Sequence, residues 1–86
     1  MITAYIFIIT KPGGRVDVSP EALAKIEGIK DIIEVYGEYD VVLKVQVTEM
    51  DGLQELIKKI RELGGVEKTT TMIAMTTGKR TKKGGA

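Results

Sequence analysis

The chain has no cysteine, no histidine and no tryptophan, and only two prolines among 86 residues. Without cysteine there is no disulfide framework and no thiolate metal site. Without histidine, the commonest general base and the commonest metal ligand are missing too. An excess of charge of one sign is also lacking. The formal net charge is +1, so the chain as a whole carries no strong field for nucleic acid or for a membrane. No apolar run approaches the length of a membrane span. The apolar stretch Ala4–Ile9 is too short for a signal-peptide core, and no basic segment precedes it. These gaps lead to the expectation of a cytoplasmic soluble domain, not an enzyme, with no metal and no cofactor. The same gaps beside abundant Lys, Glu and Ile suit a thermophile.

What is present describes one small domain. At this length a single core is barely sufficient, so further burial by oligomerisation is expected. Met1–Thr10 is β-branched and aromatic with no charged residue, which predicts a strand. Ile2, Ala4, Ile6 and Ile8 share one side of it, and Tyr5, Phe7 and Ile9 the other, so both sides call for cover. Lys11-Pro12-Gly13-Gly14 breaks the strand; it has glycines and cations but no phosphate-loop pattern, and reads as a turn. Ser19-Pro20-Glu21 starts a helix, with Ser19 as cap and Pro20 in the first turn, and Gly28 ends it. Ile29–Tyr36 and Tyr39–Val47 read as second and third strands joined by a tight turn at Gly37-Glu38. Thr48 or Asp51 caps a second helix running to Leu63, with Leu53, Leu56, Ile57 and Ile60 on one side. Glu55–Lys59 and Lys58–Glu62 are spaced as ion pairs on its wet side. Gly64-Gly65 stops the helix, and Val66–Thr76 is the fourth strand. Residues 77–86 hold no large apolar residue and four of the thirteen basic ones. They are expected to be a flexible basic tail on a folded domain of residues 1–76.

The order β-α-β-β-α-β is the α+β, ferredoxin-like arrangement. Right-handed crossovers place both helices on one face of a four-stranded antiparallel sheet, with the first and third strands central. That leaves Tyr5, Phe7 and Ile9, or else their alternate-parity neighbours, facing water together with Val42. Contiguous exposed apolar surface marks an interface. The simplest cover is a second copy, sheet on sheet, in a two-fold homodimer.

The segment Val35-Tyr36-Gly37-Glu38-Tyr39-Asp40-Val41-Val42-Leu43-Lys44-Val45 resembles the Gly-x-Tyr-Asp hairpin of the Lrp/AsnC effector domain, also called the RAM domain. The run Arg61-x-x-Gly-Gly65-Val66-x-x-Thr69-x-Thr71-x-Ile73 is similar to that family's second-helix exit and last strand. The resemblance covers about residues 2–76. It implies a module that dimerises through its sheet, often assembles dimers into a ring, and binds free amino acids between neighbouring dimers. Full-length members join this module to a helix-turn-helix domain. Here the sheet domain begins at Met1, so the resemblance implies the stand-alone subgroup, with no direct DNA readout and with full-length regulators of the family as partners.

Gly37, Glu38, Tyr39 and Asp40 are the leading site candidates. A free amino acid presents an ammonium and a carboxylate, and Asp40 suits the first while the amides of a glycine-containing turn suit the second. The competing reading is that Gly37 permits the turn, Tyr39 packs and Asp40 satisfies turn amides. Thr69 and Thr71 share one side of the last strand and resemble the family's second polar pocket wall; plain β-propensity explains them equally. Met50, Met72 and Met75 read as core.

Three rivals remain. Catalysis would fall to scattered Asp, Glu, Lys and Tyr residues with no evident activation. An RNA-binding module would stack bases on exposed sheet aromatics of the first and third strands; the first has Tyr5 and Phe7, but the third offers Val and Lys instead. A partner-binding module of the same fold with no ligand is the third.

Overall fold

The computed structural model describes residues 1–75. Its strands are β1 (Ile2–Thr10), β2 (Ile29–Glu34), β3 (Val41–Val47) and β4 (Val66–Ile73), and its helices are α1 (Pro20–Leu23) and α2 (Met50–Arg61). The sheet is antiparallel in the order β2-β3-β1-β4, which makes the two most apolar strands its central pair. This is the ferredoxin-like arrangement expected. The domain boundary at residue 76 and the tail 77–86 lie outside the described residues.

Alternation along β1 sets the layers. Ala4, Ile6 and Ile8 are fully buried, as are Val41, Leu43 and Val45 on β3. Register pairs Ala4 with Val45, Ile6 with Leu43 and Ile8 with Val41, so these six form one patch on one face. Leu53, Leu56 and Ile60 of α2 close over it, at the three-and-four spacing of a buried helical stripe. Leu23 of α1 and Val18 complete the core. Each Val, Leu and Ile side chain among them contributes about 1.5–3 kcal/mol when fully buried.

Several local expectations need correction. The helix begun by Ser19 does form, and the Ala22 amide donates to Ser19 Oγ at 3.2 Å, but it is one turn long. Gly28 does not end it. Gly28 has φ +101° and opens β2, where its carbonyl accepts from the Gln46 amide at 2.9 Å; an added Cβ would come within 2.8 Å of Leu56. The β2–β3 connection is also no two-residue turn, because β2 ends at Glu34 and β3 starts at Val41. The Val35 amide closes that loop by donating to the Asp40 carbonyl at 3.0 Å, with Gly37 at φ +139°.

Neither Thr48 nor Asp51 caps α2. Glu49 holds the cap position without a side-chain bond, so Thr48 is one residue early and Asp51 already inside the first turn. The i,i+4 pairs on α2 do not close as ion pairs, and Arg15–Glu34 at 3.2 Å is the one ion pair among the described residues. Met50, Met72 and Met75 are exposed, not core. A 3₁₀ turn at Gly14–Val18, unexpected from the sequence, buries Val18 and leaves Val16 in water. Here Gly14 passes against Gly65, whose carbonyl accepts from the Lys11 amide at 2.8 Å. A Cβ on Gly14 would lie 2.7 Å from the Gly65 backbone.

Candidate functional site

Asp40 stands at the entry to β3, beside the exit of β1. Its amide donates to the Ile8 carbonyl at 2.9 Å, which fixes its backbone against the central strand. Its Oδ2 accepts from the Thr10 amide at 2.7 Å and from the Thr10 hydroxyl at 2.9 Å. These bonds, the backbone one first, hold the carboxyl below its ordinary value, with the nearby Arg15 charge adding to them and partial desolvation opposing. Asp40 is therefore an anion with one oxygen engaged and Oδ1 without a hydrogen-bond partner among the described residues. The competing reading from sequence had the right idea and the wrong partner: the amide satisfied belongs to Thr10, thirty residues away, rather than to its own turn.

The other hairpin candidates do not gather around that carboxylate. Tyr39 leans on Phe7 instead, ring centroids 5.2 Å apart and tilted by 55°. Glu38 is exposed. Gly37 has open space around it, so its contribution is its backbone conformation.

Thr69 and Thr71 are opposite Ile8 and Ile6, on the helix side of β4. Both are half-buried. The Arg61 Nε donates to Thr69 Oγ1 at 3.1 Å, which anchors the guanidinium; its two terminal nitrogens make no hydrogen bond among the described residues. Arg61 lines two clefts. One, of about 340 Å³, is shared with Val66, Glu67, Lys68 and Thr69; the other, of about 540 Å³, runs along α2 past Gln54, Ile57, Lys58 and Glu62. Both volumes are adequate for a small ligand. A third groove of about 460 Å³ lies between α2 and the start of β2, where Glu27, Lys30, Glu55 and Lys59 face one another around Gly28.

Thus the two candidate groups share one end of the sheet but do not meet. β1 lies between β3 and β4, which separates Asp40 from Thr69 by two strand spacings, roughly 10 Å. None of the three clefts includes Gly37, Glu38, Tyr39, Asp40 or Thr71. Sequence reasoning assigned no role to Arg61 or Thr10. Arg61 was visible as the first residue of the Arg-x-x-Gly-Gly motif, but its bond to Thr69 depends on a reversal at Gly64-Gly65 that spacing does not disclose.

The face of the sheet away from the helices carries Tyr5, Phe7, Ile9 and Val42 together. Tyr5 is 37% exposed and the other three are half-buried. Ile33 and Met72 extend the patch onto the edge strands, at 52% and 59% exposure. Among the described residues no group of three His, Cys, Asp or Glu is placed to hold a metal, and no helix is long and apolar enough to cross a membrane.

Comparison with known proteins places this geometry. The model of the Lrp/AsnC ligand binding domain matches residues 3–84. A helix-turn-helix transcriptional regulator of Pyrococcus abyssi, FL11, is 36% identical over 78 residues, 91% of this chain and 51% of that one. Homocitrate synthases of Saccharolobus are 36% identical over 53 residues, 62% of this chain but 12% of theirs, so what is shared with them is a segment. The chain thus spans about half the length of the first of these curated relatives and about an eighth of the others. Among solved structures, a hypothetical protein of Pyrococcus horikoshii has a TM-score of 0.77 at 36% identity, covering 88% of this chain and 92% of that one. A feast or famine regulatory protein of Mycobacterium tuberculosis complexed with L-methionine has a TM-score of 0.79 at 26% identity, over 100% of this chain and 58% of that one. The resemblance seen in the hairpin and the last strand is a kinship, and the chain belongs to the Lrp/AsnC ligand-binding domain family.

Proposed function

We propose that this domain is a non-catalytic, cytoplasmic effector-binding module that binds a free amino acid, assembles with its own copies, and acts in transcriptional regulation through full-length relatives. The observation that carries this reading is the family match across residues 3–84, joined to a fold shared with a relative complexed with L-methionine. In the proposed site, Asp40 Oδ1 receives the ammonium, while the Gly37 loop amides and the hydroxyls of Thr69 and Thr71 serve the carboxylate. Because β1 separates these groups in one chain, the complete pocket forms where chains meet. The sheet face bearing Tyr5, Phe7, Ile9 and Val42 holds the dimer, and dimers associate further into a ring.

The test is a titration with each common amino acid, L-methionine first, reading thermal stability and light-scattering mass in the same samples. A ligand of the native assembly raises its stability by mass action. The expected result is a selective shift with a change in mass, abolished by Asp40→Ala. A second reading rests on the Thr10–Asp40 bonds, which give that carboxylate a structural task of its own. If no amino acid shifts a stable dimer, the domain is instead a partner-binding module without a ligand.

A further inference from the structure

The uncovered face of the sheet is not wholly apolar. Register places three charged residues on it: Lys44 on central β3, Asp31 on edge β2 and Lys68 on edge β4. Asp31 is the one carboxylate at a paired position of this face. It stands directly opposite Lys44, and Lys44 directly opposite Tyr5, one row from the Val42–Phe7 pair at the apolar centre. Lys44 is half-buried already, yet among the described residues it is in no ion pair, and neither is Asp31. An apolar surface laid over the Lys44 ammonium without a partner for it would cost its hydration. A cover that brings a carboxylate to that spot avoids the cost. A two-fold mate of this same chain brings one, because each copy offers one Asp31 and one Lys44 to the other. Lys68 differs: it sits on the edge strand beside the end of β1, where water continues to reach it at the rim.

We propose that Lys44 and Asp31 form a reciprocal charge pair between two copies of this chain, and that this pair selects which sheet face is accepted as mate. The inference rests on the assembly reading given above. Apolar residues supply the area, and the charge pattern rejects a face that lacks the matching carboxylate.

Charge exchange tests it. Lys44→Glu gives a face with two acids, and Asp31→Lys gives a face with two bases. Each variant alone should dimerise more weakly than the wild type by about tenfold or more, read from mass against dilution at low salt. Mixed in equal amounts, they should form the heterodimer beyond the statistical share in native mass spectra, since both cross-pairs are then complementary. Lys68→Glu mixed with Asp31→Lys should show no such preference. A statistical mixture, or rescue only when both substitutions sit in one chain, would overturn the proposal; the latter would mean pairing within a chain. If Lys44→Glu fails to fold by circular dichroism, Lys44→Gln and Asp31→Asn replace the pair. Their losses should then not add in the double variant, and additive losses would count against the pairing. A wild type that is monomeric at every concentration fails differently: it removes the assembly reading itself, and this inference with it.

Discussion

Ile6 and Phe7 are consecutive residues of one strand, both strongly apolar, and the chain treats them differently. Ile6 has no exposed surface, opposite Leu43 and Thr71 and covered by the helices. Phe7 is half-buried, opposite Val42 and Thr70, with a tilted Tyr39 ring for partial shelter. The helix side of the sheet is complete within one chain. The other side carries a contiguous apolar patch at the exposure of a surface, which is the area that the proposed assembly would cover.

The largest expected effect lies on the open side. Phe7→Asp puts an unpaired carboxylate into the proposed contact and should convert the assembly to monomer or unfolded chain; an unchanged mass in light scattering would break the comparison. On the closed side, Ile6→Ala should cost about 2–5 kcal/mol in denaturant unfolding, at every protein concentration. A loss below about 1 kcal/mol would mean that the core repacks far more freely than cores of this kind do. Asp40 sits at the margin between the two sides. Its lowered carboxyl contributes stability above the ordinary value of 3.8, and that contribution is lost as pH falls through the lower folded value. Asp40→Asn should therefore flatten the acid limb of the stability curve, and an acid limb identical to wild type would show that the Thr10 bonds are too weak in solution to matter. The smallest effect belongs to Arg15→Ala, which removes an exposed ion pair with Glu34 and should cost about 0.2–1 kcal/mol, vanishing in high salt.

The same comparison shows what the sequence discloses. Element order and the double apolarity of β1 are local patterns, and they suffice for the topology and for an unpartnered side. They do not say which parity faces the helices, because Ile6 and Phe7 are equally apolar; that depends on register with β3. The candidate site was legible as residue types and not as an arrangement. Asp40 answers to Thr10, and Arg61 to Thr69, through bonds that exist only after strands pair and the chain reverses. The methionines differ from the expectation for a related reason: Met72 sits in a strand of the sheet, but on its open side.

The crossing of Gly14 and Gly65 bears on how mutations combine. Either residue, given a methyl group, meets the other's backbone, and the Lys11 bond to the Gly65 carbonyl runs through the same point. Gly14→Ala and Gly65→Ala should thus force apart the same contact, and once it is parted the second change has little left to disturb. In a mutational scan the two positions would count as one site, each sensitive alone and nearly silent in the background of the other.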